Sequence, residues 1–101
     1  MNIPWFEKLN DIVSQYGIVP IESFYPEVVQ SYAFNGQWIF DHYIDNDFAF
    51  MKYNQEANCL VLETMTPYNY FSFIKTLKKT LVDVKTYQIN CKLNEIKEDF
   101  I

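Results

Sequence analysis

At 101 residues, half of them apolar and about a fifth charged, the chain is sized for one core and one domain, 1–101, and is too apolar to stay disordered. A net charge of −5 carried without a single arginine speaks against nucleic acid as a direct ligand, since phosphate binding draws on a basic surface. One His, two Cys and two Gly leave little of what catalysis at neutral pH recruits, whereas nine Phe, eight Tyr and two Trp are the material of cores and binding surfaces.

Asn2 is placed to cap a first helix with Pro4 in its opening turn. Trp5, Phe6, Leu9, Ile12, Val13 and Tyr16 follow at helical spacing, and Gly17 with Pro20 ends the run. Residues 18–26 contain two prolines, Pro20 and Pro26, and read as a connection with room for a short edge strand. Val28 to Phe34 is β-branched and aromatic, and Asn35-Gly36 is the favoured pair for a two-residue hairpin turn. Return strands are expected over 37–44 and 47–53, joined at Asp45-Asn46, and a further one over 59–65 after the polar turn 54–58.

Thr66-Pro67 is then expected to open a second helix, with Tyr70, Phe73, Ile74, Leu77 and Leu81 on its inner stripe and Lys75, Lys78 and Lys79 facing water. That helix should end near Asp83. Val84 to Leu93 alternates Tyr87, Ile89, Cys91 and Leu93 with polar residues, which predicts a last strand. The tail finishes in Phe100-Ile101, a pair suited to tuck against the body. The expected fold is α+β: a two-layer sandwich in the order α-β-β-β-β-α-β. A meander of about four strands plus the C-terminal strand forms the antiparallel sheet, with both helices on one face.

Charge is uneven. Residues 1–63 hold nine acids and two lysines, a balance of −7, and residues 64–101 hold six lysines and four acids, a balance of +2. Such an asymmetry steers a molecule toward a basic partner. No run of apolar residues is long enough to span a membrane, and the opening residues show no secretory pattern, so the cytoplasm of a bacterial or host cell is the expected location. Cys59 and Cys91 are then expected to be buried free thiols, and neither has the close Cys or His neighbour that zinc requires.

The densest polar cluster is Asp41, His42, Tyr43, Asp45, Asn46 and Asp47. Two carboxylates around a turn are a start toward a hard metal ion, but the later Gly and Glu of a calcium loop are missing, so neither metal nor cofactor is expected. Asp41 and His42 point to opposite faces of a strand. Strand alternation puts Trp38 with Phe40 on one face and Ile39 with Asp41 and Tyr43 on the other. Phe48 and Phe50 then share a face, with Met51 and Tyr53 opposite. With large apolar groups on both faces, one face is core and the other is either covered or offered to a partner, a second copy included.

The reading this favours is a small, non-enzymatic binding protein that inhibits or neutralises another macromolecule by occlusion, in the manner of immunity proteins, antitoxins or phage-encoded inhibitors of nucleic-acid-acting or defence enzymes. Asp41, Asp45, Asp47, Glu56 and Glu63 would steer it to a basic protein surface, with Trp38, Tyr43 and Tyr53 as anchors. Two alternatives remain. The opening helix, Gly17 and Ile18-Val19-Pro20 resemble the start of small acidic dimeric type III secretion chaperones, which implies an α+β fold and a chaperone role. The resemblance covers residues 1–20, and no closing helix of that kind is expected here. The other is a small metal-dependent or acid/base enzyme built on Asp41, His42, Asp45 and Asp47.

Overall fold

Hairpin chemistry written into the turns lays out the sheet. The computed structural model describes residues 5–99, with side chains described as far as Asn94. Its strands are β1 (Ile18–Ile21), β2 (Val29–Phe34), β3 (Gln37–Tyr43), β4 (Phe48–Asn54) and β5 (Cys59–Met65), in the order β1-β2-β3-β4-β5 with antiparallel neighbours throughout. Asn35 and Gly36 sit at φ of 50° and 80°, as a tight β2–β3 turn requires, and Asn46 and Asn58 supply positive φ at the next two turns.

Helices flank this meander. A 3-10 turn (Trp5–Lys8) leads into α1 (Leu9–Ser14), and the chain closes with α2 (Tyr70–Asp99). The architecture is α+β, in the order α-β5-α. The expected cap at Asn2 and Pro4, and the tucked Phe100-Ile101, lie outside the described residues. Gly17 at φ 76° ends the first helix as expected, its N–H donating to the Ser14 carbonyl at 3.0 Å.

The segment 18–26 holds the short edge strand it has room for: β1 pairs with β2 from Ile18↔Phe34 to Ile21↔Ser31. Two expectations are corrected. The second helix starts later than Thr66-Pro67, because Asn69 is the cap, its Oδ1 accepting the Ser72 N–H at 2.9 Å. Most consequentially, Val84 to Leu93 is no strand. α2 runs on for 30 residues without a glycine or proline to stop it, so the chain does close on a helix. Phe73, Leu77, Thr80 and Val84 keep helical spacing and are all buried, which carries the helix past the expected end at Asp83.

Both helices lie on one face of the sheet. Cross-strand partners share a face, so Tyr32, Phe40 and Phe50 line up across β2, β3 and β4, with His42 beside Phe48 one step along. Phe73 of α2 and Trp5 descend onto this row, with ring centroids 5.2 Å and 5.8 Å from Phe48. Leu9, Val13 and Ile18 complete the core on the α1 side. Lys75, Lys78 and Lys79 face solvent as expected. Both cysteines are free thiols, half-buried rather than buried.

Tyr32 joins α1 to the sheet. Its ring stacks on Phe40 at 4.6 Å and its hydroxyl donates to Asn10 Oδ1 at 2.6 Å. Burial pushes that hydroxyl above its ordinary value of 10.0. An unfolded chain releases the proton near pH 10 and the folded chain only later. The contribution is therefore complete below about pH 10 and is lost as pH rises through the folded value. Tyr32→Phe is expected to cost about 1 kcal/mol at neutral pH. It should also flatten the fall of stability above about pH 10, both read from urea midpoints.

Candidate functional site

Meander topology gathers three connections at one end of the sheet: residues 22–28 between β1 and β2, 44–47 between β3 and β4, and 66–69 between β5 and α2. They are stitched together by hydrogen bonds. The Ile44 N–H donates to the Val28 carbonyl at 2.9 Å, joining the first connection to the second, and Ser23 Oγ donates to the Val29 carbonyl at 2.8 Å. The Tyr43 N–H donates to the Asp47 carbonyl at 2.9 Å, while Asp45 Oδ1 accepts the Asp47 N–H at 3.2 Å and closes the turn. Thr66 Oγ1 donates to Asp47 Oδ1, tying in the third connection. Beneath them His42 stacks on Phe48 at 4.6 Å, its Nε2 2.9 Å from Asn46 Oδ1.

What this end displays is large and apolar. Phe24 is 95% exposed, Ile44 77% and Tyr68 98%, with Tyr25 and Val28 also open; Phe71, in the first turn of α2, is 79% exposed. Interspersed are Glu22, Glu27, Asp45 and Asp47, and segments 22–28, 44–47 and 66–69 contain no lysine or arginine. Exposed aromatics held on hydrogen-bonded loops, ringed by charge of one sign, have the make-up of a protein-binding surface.

The eight residues expected to bind a partner are divided among three places. Asp45 and Asp47 belong to the loop end. Trp38, Asp41 and Tyr43 lie on the back face of the sheet, opposite the face that carries Phe40 and Phe50. There a β-bulge intervenes: Ala33 pairs with Trp38 but Tyr32 pairs with Phe40, so one residue of β3 is extra. Trp38 therefore shares a face with Asp41 instead of Phe40, and Ile39, expected beside Asp41, is fully buried in the core. Trp38 Nε1 donates to Asp41 Oδ1 at 2.7 Å, and the carboxyl, only 5% exposed, is committed within the sheet.

Tyr53 and Glu56 lie toward the other end, and Glu63 lies along β5 opposite Phe50. Tyr53 is a joint, not a free anchor. Its hydroxyl accepts from Asn90 Nδ2 at 2.9 Å and donates to Asn58 Oδ1 at 2.8 Å, and its ring meets Tyr87 edge-on at 5.9 Å. Tyr87 in turn is held above its ordinary value, first by a hydrogen bond with Cys91 one turn along α2 and then by that thiol's charge. Asp83 Oδ2 accepts the Tyr53 N–H at 3.3 Å. Glu56 is exposed in the β4–β5 turn, and Glu63 pairs with Lys52 at 3.1 Å on the surface.

Among the described residues no three His, Cys, Asp or Glu side chains converge on a point that could hold a metal ion. A cleft of about 80 Å³ between α2 and the β4–β5 hairpin is lined by Phe50, Met51, Met65 and Thr76, and a wider, open hollow of about 620 Å³ by Tyr53, Asn54, Glu56 and Thr86. No described helix is long and apolar enough to cross a membrane. No family model, curated protein or solved structure matches the chain.

Sequence reasoning named Asp45 and Asp47 of the loop end, but neither Glu22 and Glu27 nor its exposed aromatics. The signal was present in Phe24-Tyr25 before Pro26 and Tyr68 after Pro67. Proline-flanked aromatics in a connection have no strand or helix periodicity to bury them.

Proposed function

We propose that the protein is a small acidic binder that occludes a basic surface on another macromolecule in the cytoplasm, inhibiting or neutralising it without catalysis of its own. The loop end carries this reading: Phe24, Tyr25, Ile44, Tyr68 and Phe71 are exposed beside Glu22, Glu27, Asp45 and Asp47, with no cation in the three connections. Acidic side chains speed encounter with a basic target, and the aromatics supply area to bury once the two meet. A nucleic-acid-acting enzyme suits this chemistry, since carboxylates can occupy the places its cations hold for phosphate. Cross-bonding of the loops means little conformational freedom is lost on binding.

The test is paired capture from the cell that makes the protein. Immobilised wild type is expected to retain a stoichiometric protein of basic surface that elutes as salt is raised. Replacing Glu22 and Glu27 by Gln and Asp45 and Asp47 by Asn should abolish that retention. Glu56→Gln, in the turn at the other end of the sheet, should leave it intact. Equal retention by both variants, or retention indifferent to salt, would overturn the reading.

A further inference from the structure

The two edges of the sheet are built differently. β1 is four residues long and carries Pro20, which has no N–H to offer a further strand. β5 is seven residues long and pairs with β4 from Phe48↔Met65 to Asn54↔Cys59 without a break in register. It contains no proline, glycine or lysine, and Val61 and Leu62 are exposed on it. Sheet edges in soluble proteins are ordinarily blunted by shortness, proline, charged side chains or a bulge. β1 is blunted by the first two. β5 carries a single charge, Glu63, which Lys52 pairs, and its outer row of N–H and C=O groups is paired with no described element.

We propose that β5 pairs antiparallel with β5 of a second copy of this chain, about a two-fold axis through Leu62, so that one sheet runs through both protomers. The sequence Cys59-Leu60-Val61-Leu62-Glu63-Thr64-Met65 selects both occupant and register. Centred on Leu62, every residue of the strand finds a partner: Leu62 meets itself, Val61 meets Glu63 and Leu60 meets Thr64. Centring on Glu63 would set two carboxylates face to face, which is unfavourable, and centring on Val61 would leave the Met65 end unpaired.

The net charge of −5 does not stand in the way, because Glu63 is the sole acid on the strand and Lys52 already neutralises it at 3.1 Å. Nor does the sheet grow into a fibre. The interface uses the same edge of both protomers, and Pro20 guards the outer edges that remain. An antiparallel two-fold also points the two loop ends in opposite directions, giving an assembly with two outward binding ends. The pairing itself does not depend on what those ends bind.

Sedimentation and light scattering from micromolar to hundreds of micromolar protein provide the first measurement, with a mass rising from one chain to two as the expected result. Leu62→Lys sets two lysines opposite each other and should weaken dimerisation about tenfold or more while the circular dichroism spectrum is kept. Register is tested by trapping. In a Cys59→Ser, Cys91→Ser background, Leu62→Cys should form a disulfide between copies under oxidised glutathione. Thr64→Cys should not, because its symmetry mate lies four residues away along the strand, beyond disulfide reach. A monomer at every concentration overturns the proposal. So does a dimer that Leu62→Lys leaves unchanged, or one trapped equally from positions 62 and 64. Should Leu62→Lys fail to fold, the two cysteine variants decide.

Discussion

Phe73→Ala is expected to remove about 3–5 kcal/mol of stability, a large share of the roughly 5–15 kcal/mol that holds a domain of this size together. Phe73 is fully buried and is where the layers meet. Its ring lies 4.8 Å from Trp5, 5.7 Å from Phe40, 5.2 Å from Phe48 and 5.8 Å from Phe50, so one side chain of α2 touches the N-terminal turn, β3 and β4 together. Alanine there leaves a void that four aromatic rings cannot all close, and each lost ring pair adds to the cost of lost burial. The companion substitution is Phe71→Ala, two residues earlier, where the ring is 79% exposed. It should move stability by no more than about 0.5 kcal/mol. Urea midpoints of the two variants decide the matter: similar values would mean that α2 does not seat on the sheet through Phe73.

Much of this fold is legible in the sequence because turns announce themselves chemically. Asn35-Gly36, Asn46 and Asn58 adopt the positive φ that marks a chain reversal, and the strands between them follow from those reversals. α2 was readable only as far as its burial. Up to Leu81 its apolar residues obey helical spacing because the sheet lies beneath them. Beyond that, Ile89 and Leu93 are about half exposed, so their alternation with polar neighbours reflects no buried strand face. β-branched Val82, Val84 and Thr86 favour a strand by intrinsic preference, yet a helix already under way continues until something stops it. At 30 residues α2 runs about 45 Å, well past a seven-residue strand, so its second half outruns the sheet.

The candidate site was half legible for a related reason. Alternation assigns side chains to faces only while register holds, and one extra residue in β3 carried Trp38 to the face of Asp41. No pattern in Gln37-Trp38-Ile39-Phe40 announces that slip. It is fixed by pairing with Ala33 and Phe34 on the neighbouring strand. Aromatic residues in strands were the natural choice for binding anchors, yet Tyr53 is consumed by its bonds to Asn58 and Asn90. The exposed rings stand in the connections, where acids and prolines had already suggested surface.

Separating the loop end's charge from its aromatics should separate the two halves of the binding rate law. Neutralising Asp45 and Asp47 together is expected to slow association with the basic partner and to flatten its dependence on salt, leaving dissociation nearly unchanged. These carboxylates act at a distance, while the partners are still separated by solvent. Replacing Phe24 and Tyr25 by alanine should do the reverse. Association stays within a few-fold, and dissociation quickens by about 30-fold or more, corresponding to the roughly 2 kcal/mol or more of an aromatic hot spot. Phe24 at 95% and Tyr25 at 69% exposure have that surface to bury and few contacts of their own to lose, so the folded state should tolerate their removal. Asp47 calls for a control, since its carboxylate also accepts from Thr66. Asp47→Asn keeps an acceptor oxygen for that hydroxyl while removing the charge, so a slower association in this variant reports steering, whereas a faster dissociation would report a loosened loop. Surface plasmon resonance across a salt series resolves both rates. If the aromatic pair altered only association, or the acid pair only dissociation, the loop end would not be the surface that meets the partner.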